Sequence, residues 1–329
     1  MTPKLSLIIP VYKAENYISK TINLVKSQSF QDFECILIDD GSPDKSGEII
    51  DMLTADDSRF IVVHKQNEGP SSARNEGLDI AHARIIVFMD ADDIVSDVYL
   101  EDLYKEYINN SVDLVMQGMI KVQKGVDTAI LLHNKIYNIR KGGIELLFQD
   151  LQMSALGGPC CKCFNAEILH EQNIRFSDKI LYGEDFDFLL RYIPHCHKIF
   201  TSSSANYRYL LHEASASTSF HPFDLELSGL MQISSSFEHL QMISRCRDLS
   251  VQYQKCFNDY VWRILYSNYF NKYSFRESLQ NLKKIPKSIT EMCANILRNT
   301  SLFTAIVNNL LAYRLFFILN LLLSMRLKK

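Results

Sequence analysis

The sequence contains neither Gly-x-Gly-x-x-Gly nor Gly-x-x-x-x-Gly-Lys. The first absence disfavours a dinucleotide-binding oxidoreductase and the second a P-loop kinase, since those loops bring backbone N–H groups onto phosphate. No stretch of about 18 apolar residues runs without polar breaks, so no segment reads as a membrane-spanning helix. The apolar run at the start, Leu5 to Ile9, is short and has no small-residue cleavage site after it, so a secretory leader is not expected. Glycine (12) and proline (8) are too few for a collagen-like or low-complexity chain. Eight cysteines are scattered over 329 residues, which argues against a disulfide scaffold. The cluster Cys160-Cys161-x-Cys163 has no second Cys or His pair at ligand spacing and reads as buried thiols. Basic charge is scarce where nucleic acid would need it. The net charge of −3 hides a split: Ser278 to Lys329 carries eight Lys/Arg against Glu291 alone, which leaves the first 277 residues at −10. Such a body lacks the broad basic face of a nucleic-acid binder, so no nucleic-acid partner is expected.

What is present is globular composition, 47% hydrophobic and 22% charged, in a length that suits one large or two ordinary domains. The first half alternates short apolar runs with helical spacing. Strands are expected at 5–9, 33–38, 60–63 and 84–89, and helices at 14–29, 47–53 and about 71–81. Repeated βαβ units predict an α/β fold with a mostly parallel sheet covered by helices. The alternation stops near Val112. A strand over 112–117, helices over 142–151 and 185–192, and strands near 198–202 and 206–210 are expected next, followed by a helical pattern from Phe223 on with a long amphipathic stretch over about 225–273.

Ligands of parallel sheets bind beyond the carboxyl ends of the strands. Pro10-Val11-Tyr12, Asp39-Asp40 and Asp90-Ala91-Asp92-Asp93 all fall at such ends. Carboxylates one residue apart, as in Asp90 and Asp92, either converge on a hard cation such as Mg²⁺ or Mn²⁺ or simply favour a helix N-terminus. Asp40 is either an ordinary turn residue or an acceptor for the imide N–H of a uracil or the amide face of a guanine. Arg74 is either a surface residue or a partner for phosphate or carboxylate at the sheet end. Glu184 and Asp185 either cap a helix or supply a general base.

The ordered set is more specific than any member. The blocks Ser6-Leu7-Ile8-Ile9-Pro10-Val11-Tyr12, Gln28-Ser29-Phe30-x-Asp32-Phe33-Glu34, Ile38-Asp39-Asp40-Gly41-Ser42-x-Asp44, Glu68 to Gly77 and Phe88-Met89-Asp90-Ala91-Asp92-Asp93 follow one another. Cys161-Lys162-Cys163-Phe164, Arg175-Phe176 and Gly183-Glu184-Asp185 come after them. Over residues 4 to 215 the chain resembles family 2 glycosyltransferases. The resemblance implies the GT-A fold and inverting transfer of a sugar from a nucleotide diphosphate sugar, a UDP-sugar above all. It implies that Pro10, Tyr12 and Asp40 hold the nucleoside and that Asp92, with Asp90, ligates a divalent metal (Mn²⁺ or Mg²⁺). Arg74 would contact the donor phosphates or brace the acidic loop. Asp185 would be the base, with Glu184 orienting the acceptor or sharing the task. Two departures, Cys160-Cys161 in place of an aromatic residue and His82-Ala83-Arg84 where a glycine is usual, concern packing. His212 is either a surface residue or a third metal contact.

The expected organisation is a catalytic domain over 1–215, with a nucleotide-sugar-binding half (1–110) and an acceptor half (111–215), then a helical region over 216–329. Processive synthases of the family carry Gln-x-x-Arg-Trp and several membrane spans. The single tryptophan, Trp262, stands in the order Trp262-Arg263, so one hexosyl or N-acetylhexosaminyl addition is expected. The resemblance implies a glycan or polyprenyl-linked acceptor in cell-surface polysaccharide assembly. The apolar, basic tail from Leu302 is expected to lie on the inner face of the cytoplasmic membrane, keeping the enzyme cytoplasmic; the other reading packs it on the catalytic domain or on a second subunit in a homodimer. The rival enzyme is a sugar-1-phosphate nucleotidyltransferase, whose Gly-rich basic loop is replaced here by Val11-Tyr12-Lys13-Ala14-Glu15. The rival non-enzyme is an inert nucleotide-sugar-binding module, against which Asp90, Asp92 and Asp185 speak.

Overall fold

The computed structural model describes residues 2–151, 153, 156–211, 220–244, 250–294 and 302–327. Its first half follows the expected alternation: β1 (Leu5–Val11), α1 (Ile18–Lys26), β2 (Phe33–Asp39), α2 (Ser46–Thr54), β3 (Phe60–His64), α3 (Pro70–Ile80) and β4 (Ile85–Phe88). Next come β5 (Ile94–Val95), α4 (Tyr99–Asn110), β6 (Leu114–Gln117), β7 (Met119–Gln123), β8 (Val126–Ile130), β9 (Lys135–Asn138) and α5 (Gly143–Asp150). They are followed by β10 (Lys162–Asn165), α6 (Ala166–Glu171), α7 (Glu184–Tyr192), β11 (Lys198–Ser202) and β12 (Tyr207–Leu211). The remainder is helical: α8 (Phe223–Ser244), α9 (Ser250–Phe270), α10 (Phe275–Lys284), α11 (Lys287–Ala294), α12 (Leu302–Ala312) and α13 (Phe316–Leu327).

The eight-stranded sheet runs β3-β2-β1-β4-β10-β6-β11-β9. β1, β2, β3 and β4 are parallel neighbours, and β10 enters antiparallel between β4 and β6. β1 and β2 are buried along almost their whole length, as apolar runs covered on both faces must be. Four further strands, β5-β12-β7-β8, form a small second sheet. Its β7–β8 hairpin and the short β5, β9 and β10 are not among the expected strands. The hairpin is largely exposed and has no continuous apolar run, so its strands have little hydrophobic signal. Its turn is signed instead by Lys124 and Gly125, both at positive φ, the backbone that a tight hairpin asks for.

The helical stretch expected over about 225–273 holds two helices, α8 and α9, on either side of residues that lie outside the described ones. The tail is likewise two helices, broken where Arg314 adopts φ +54°. Among the described residues no helix is long and apolar enough to cross a membrane. α13 packs on α9 and α10. Asn320, which interrupts the apolar run in the sequence, is fully buried there and accepts from the Tyr269 hydroxyl at 2.5 Å. Burial of the polar group is tolerated because it is hydrogen-bonded. The opposite side of α13 leaves Phe317, Ile318, Leu321 and Met325 exposed. The described cysteines Cys35, Cys160, Cys161, Cys163 and Cys196 are free and buried, as the sequence implied.

Helix α3 lies unusually close to β1. A Cβ on Gly77 would stand 2.4 Å from Cγ2 of Ile8, a buried residue in the middle of the strand. Gly77→Ala therefore forces the helix off the sheet and should destabilise the chain by about 1–3 kcal/mol, as overpacking does. Urea unfolding followed by circular dichroism checks this; an unchanged midpoint would show that the contact yields without cost.

Candidate active site

Parallel pairing brings the functional strand ends to one edge. Ile8 is in register with Phe88 and Ile38 with Pro10, so Pro10, Asp40 and Asp90 emerge side by side. Tyr12 continues from β1 and is 46% exposed, with the Lys13 ammonium 5.1 Å from its ring centre. An aromatic face at a pocket mouth suits a nucleobase.

Asp40 is almost completely buried and both its oxygens are in use. They accept the backbone N–H groups of Glu68 (3.0 Å) and Gly69 (2.8 Å), and Lys65 Nζ lies 3.5 Å away. The side chain of Asn67 donates to the Asp40 carbonyl at 2.9 Å. Asp40 thus holds the turn that precedes α3. Gly41, at φ +66°, is needed there because a Cβ would come within 2.8 Å of the Asn67 nitrogen.

The turn held by Asp40 sets the start of α3 and with it Arg74. Arg74 lies on the buried side of α3 with Ala73, Gly77 and Leu78. Its guanidinium donates to Asp90 at 3.0 Å and to Asp185 at 3.0 Å, and Glu184 is 3.9 Å away. The guanidinium also lies 5.3 Å from the ring centre of Phe176. Arg74 therefore joins the end of β4 to the start of α7, its two carboxylate partners lying 16 and 111 residues from it in sequence. Burial opposes its charge, but the carboxylates of Asp185, Asp90 and Glu184 outweigh that and keep it a cation. Asp185 responds in the reverse direction: burial raises its pKa, and Arg74 holds the rise down. Burial and the neighbouring Asp185 also push Glu184 up.

The second acidic cluster lies against the first. Asp93 is buried, its oxygens accepting from the Tyr207 hydroxyl (2.5 Å) and the Leu210 amide (2.8 Å). The same hydroxyl accepts the Asp90 N–H at 3.2 Å. Asp93 is pushed up by burial and by Asp90. Ligand atoms of Asp90, Asp93 and Cys160 lie within 4.8 Å of one another. This trio makes a poor Mg²⁺ or Mn²⁺ site, because the Cys160 thiol is soft and burial keeps it neutral, while Asp93 is committed to its two donors. Asp90 and Asp92 are both partly exposed on the 90–93 turn and offer hard oxygens, which fits a divalent ion completed by diphosphate and water. His212 lies outside the described residues.

Sequence reasoning did not assign Tyr207 or Lys162 a role here. Lys162 is fully buried, donates to the carbonyls of Gly158 (2.6 Å) and Cys160 (3.3 Å), and has its pKa lowered by burial. It holds the segment that carries Cys160 against Asp90. Nor did the sequence reveal the C-terminal helices as neighbours. Gly183, at φ +88°, begins α7 and is hemmed in: a Cβ there would stand 2.5 Å from Ile233 of α8 and 2.9 Å from Tyr260 of α9. Arg263 of α9, buried, forms a pair with Glu226 of α8 at 2.7 Å and lies 3.4 Å over the ring of Tyr182. Asp187, one turn into α7, accepts from Ser236 of α8 at 2.6 Å. The turn that carries Glu184 and Asp185 is thus clamped from outside the sheet.

Comparison with known proteins bears on the fold and the family. The chain is 32% identical over 193 residues to the uncharacterized glycosyltransferase EpsJ of Bacillus subtilis, covering 58% of this chain and 56% of EpsJ. It is 28% identical over 212 residues to a poly(ribitol-phosphate) beta-glucosyltransferase of Bacillus spizizenii, covering 63% of this chain and 32% of that one. The chain spans about half of EpsJ and less of the glucosyltransferase. The TarS 1-349 structures from S. aureus, in complex with UDP and with UDP-GlcNAc, superpose with TM-scores of 0.67 and 0.66 at 18% identity, over 99% of this chain and 92% of theirs. The shared fold therefore extends through the C-terminal helices. The sequence model of Glycosyl transferase family 2 matches residues 6–171, half of the chain and all of the strand-end carboxylate blocks but not the Glu184–Asp185 turn, and the chain belongs to that family.

Proposed function

We propose that the protein transfers a single sugar from a UDP-sugar to a glycan or polyprenyl-linked acceptor in cell-surface polysaccharide synthesis, with inversion at the anomeric carbon. The observation that carries the reading is the convergence of Asp90, Arg74, Glu184 and Asp185 at one sheet edge. In this reading residues 1–110 bind the donor, 111–215 meet the acceptor, and 216–329 support both. The two halves are laced together where β5 pairs with β12.

Tyr12 and Pro10 face the nucleoside, and Asp40 acts by holding the 67–69 turn beside it. The Asp185 carboxylate takes the proton of the acceptor hydroxyl as that oxygen attacks the anomeric carbon from the side opposite the diphosphate. Glu184, beside it, is placed to hydrogen-bond the acceptor. Arg74 opposes the rise that burial imposes on the pKa of Asp185 and fixes the carboxylate relative to Asp90. A divalent cation held by Asp90 and Asp92 would offset the charge developing on the diphosphate.

Paired variants test the two carboxylate roles. Asp185→Asn should retain UDP affinity within about twofold and lose transfer by about 10²–10⁴, the usual worth of a general base. Asp92→Ala should instead raise the Mn²⁺ concentration needed for turnover. Release of UDP by the wild type identifies a transferase, and release of inorganic diphosphate would point to a nucleotidyltransferase. Near-normal transfer by Asp185→Asn would remove the residue from the base role.

The pH dependence tests Arg74. A base must be ionised, so a raised Asp185 pKa places the acid limb of kcat/KM above the ordinary carboxylate range. Arg74→Met removes the cation that holds the rise down, and the limb should move to still higher pH; Arg74→Lys should move it less. An unmoved limb combined with lost UDP binding would assign Arg74 to the donor instead.

The exposed side of α13 supports contact with an anionic membrane, since it lies in a segment, Ser278 to Lys329, with eight basic residues and one acid. The full chain should co-float with phosphatidylglycerol vesicles, and Phe317→Ser with Leu321→Ser should weaken that. Equal failure of both proteins to float would overturn membrane contact.

A further inference from the structure

A surface helix ordinarily turns polar residues outward. α9 does not. Between Phe257 and Phe270 its inward side carries Phe257, Val261, Ile264, Leu265 and Asn268, all buried. Its outward side carries Trp262, Tyr266 and Phe270, one helical turn apart, with the first two half-buried and Phe270 53% exposed. Successive rings touch: Trp262 and Tyr266 are 5.7 Å apart between centres, and Tyr266 and Phe270 6.1 Å. Phe220 lies alongside, stacked on Phe270 at 5.1 Å. These rings, half-buried at Phe220, Trp262 and Tyr266 and open at Phe270, leave apolar edges on one side of the helix that a ligand can cover.

Two features say what the surface is for. Its near end is continuous with the catalytic turn, since Arg263 lies over both Phe220 (5.3 Å) and Tyr182 (3.4 Å), and Glu184 follows Tyr182 by two residues. Its far end adjoins the tail, since Tyr269 is hydrogen-bonded to Asn320 of α13. Trp262 to Phe270 spans about 12 Å along the helix, room for more than one sugar ring. A pyranose has an apolar C–H face and a polar rim. Aromatic faces desolvate the first, and the phenols of Tyr266 and Tyr182 can serve the second.

We propose that Trp262, Tyr266 and Phe270 of α9, with Phe220 beside them, form a platform for the saccharide of the acceptor, leading from the tail to the Glu184–Asp185 turn. The proposal rests on the transferase reading and extends it by naming the acceptor subsite. Such a platform makes the acceptor more than one sugar long and places its growing end at Asp185.

The only tryptophan of the chain stands in the platform and reports on it directly. The full-length protein is screened against immobilised hexose, N-acetylhexosamine and ribitol-phosphate tetramers, and those that bind are titrated while Trp262 emission is followed. Wild type should bind at least one tetramer, better than the monomer, with a shift in emission. Tyr266→Ala with Phe270→Ala should weaken that binding at least tenfold while UDP affinity by calorimetry stays within twofold. Tyr266→Phe, which keeps the ring and is the milder change, should retain most of it. Wild-type protein that binds none of the tetramers, or a double variant that binds as wild type, overturns the platform. UDP affinity separates the two readings, because a chain that binds UDP but no tetramer keeps its transferase reading and loses only this one.

Discussion

The active edge depends on one guanidinium. Arg74 is buried among Asp90, Asp185 and Glu184, and without it three carboxylates would crowd a weakly solvated space with no counter-charge. Breaking a buried pair by removing one partner costs about 3–5 kcal/mol, because the other charge stays behind. The surroundings of Arg74 are arranged accordingly. Asp40 fixes the turn before α3, Gly77 lets α3 close on β1, and Phe176 covers the guanidinium. Position and ionisation of the proposed base follow from the same contact.

The second constraint comes from the opposite side. Glu184 and Asp185 stand at the start of α7, behind a glycine with no room for a side chain, and α8 and α9 hold that start through Arg263, Glu226, Tyr260 and Ser236. Helices that look like an appendage in the sequence are therefore walls of the Glu184–Asp185 turn. The charge split gains meaning from this. Part of the acidity of the first 277 residues is gathered at one sheet edge, while the basic tail joins the helices that brace it.

Much of the fold was legible because its strands are buried on both faces. Leu5 to Val11 and Phe33 to Asp39 are nearly continuous apolar runs ended by Pro, Asp and Gly, and burial on two sides leaves that mark wherever it occurs. The edge strands of the small sheet left none, since one exposed face and short length permit almost any residue. Residues 225–273 read as one helical stretch, and the structure divides it into α8 and α9.

The site divides along the same line. The sequence by itself determined the residue types and their order: carboxylates at the strand ends, an arginine on the third helix and an acidic pair before another, since each block is local and its chemistry is carried by the residues themselves. Tertiary structure alone decided their relations. It turned Asp40 toward backbone amides, put Asp93 on Tyr207, placed Arg74 between residues 16 and 111 positions away, and brought Tyr182 under Arg263. These contacts join distant segments through side-chain geometry, and the periodicity of a single chain records only which face of an element is buried, not what it is buried against.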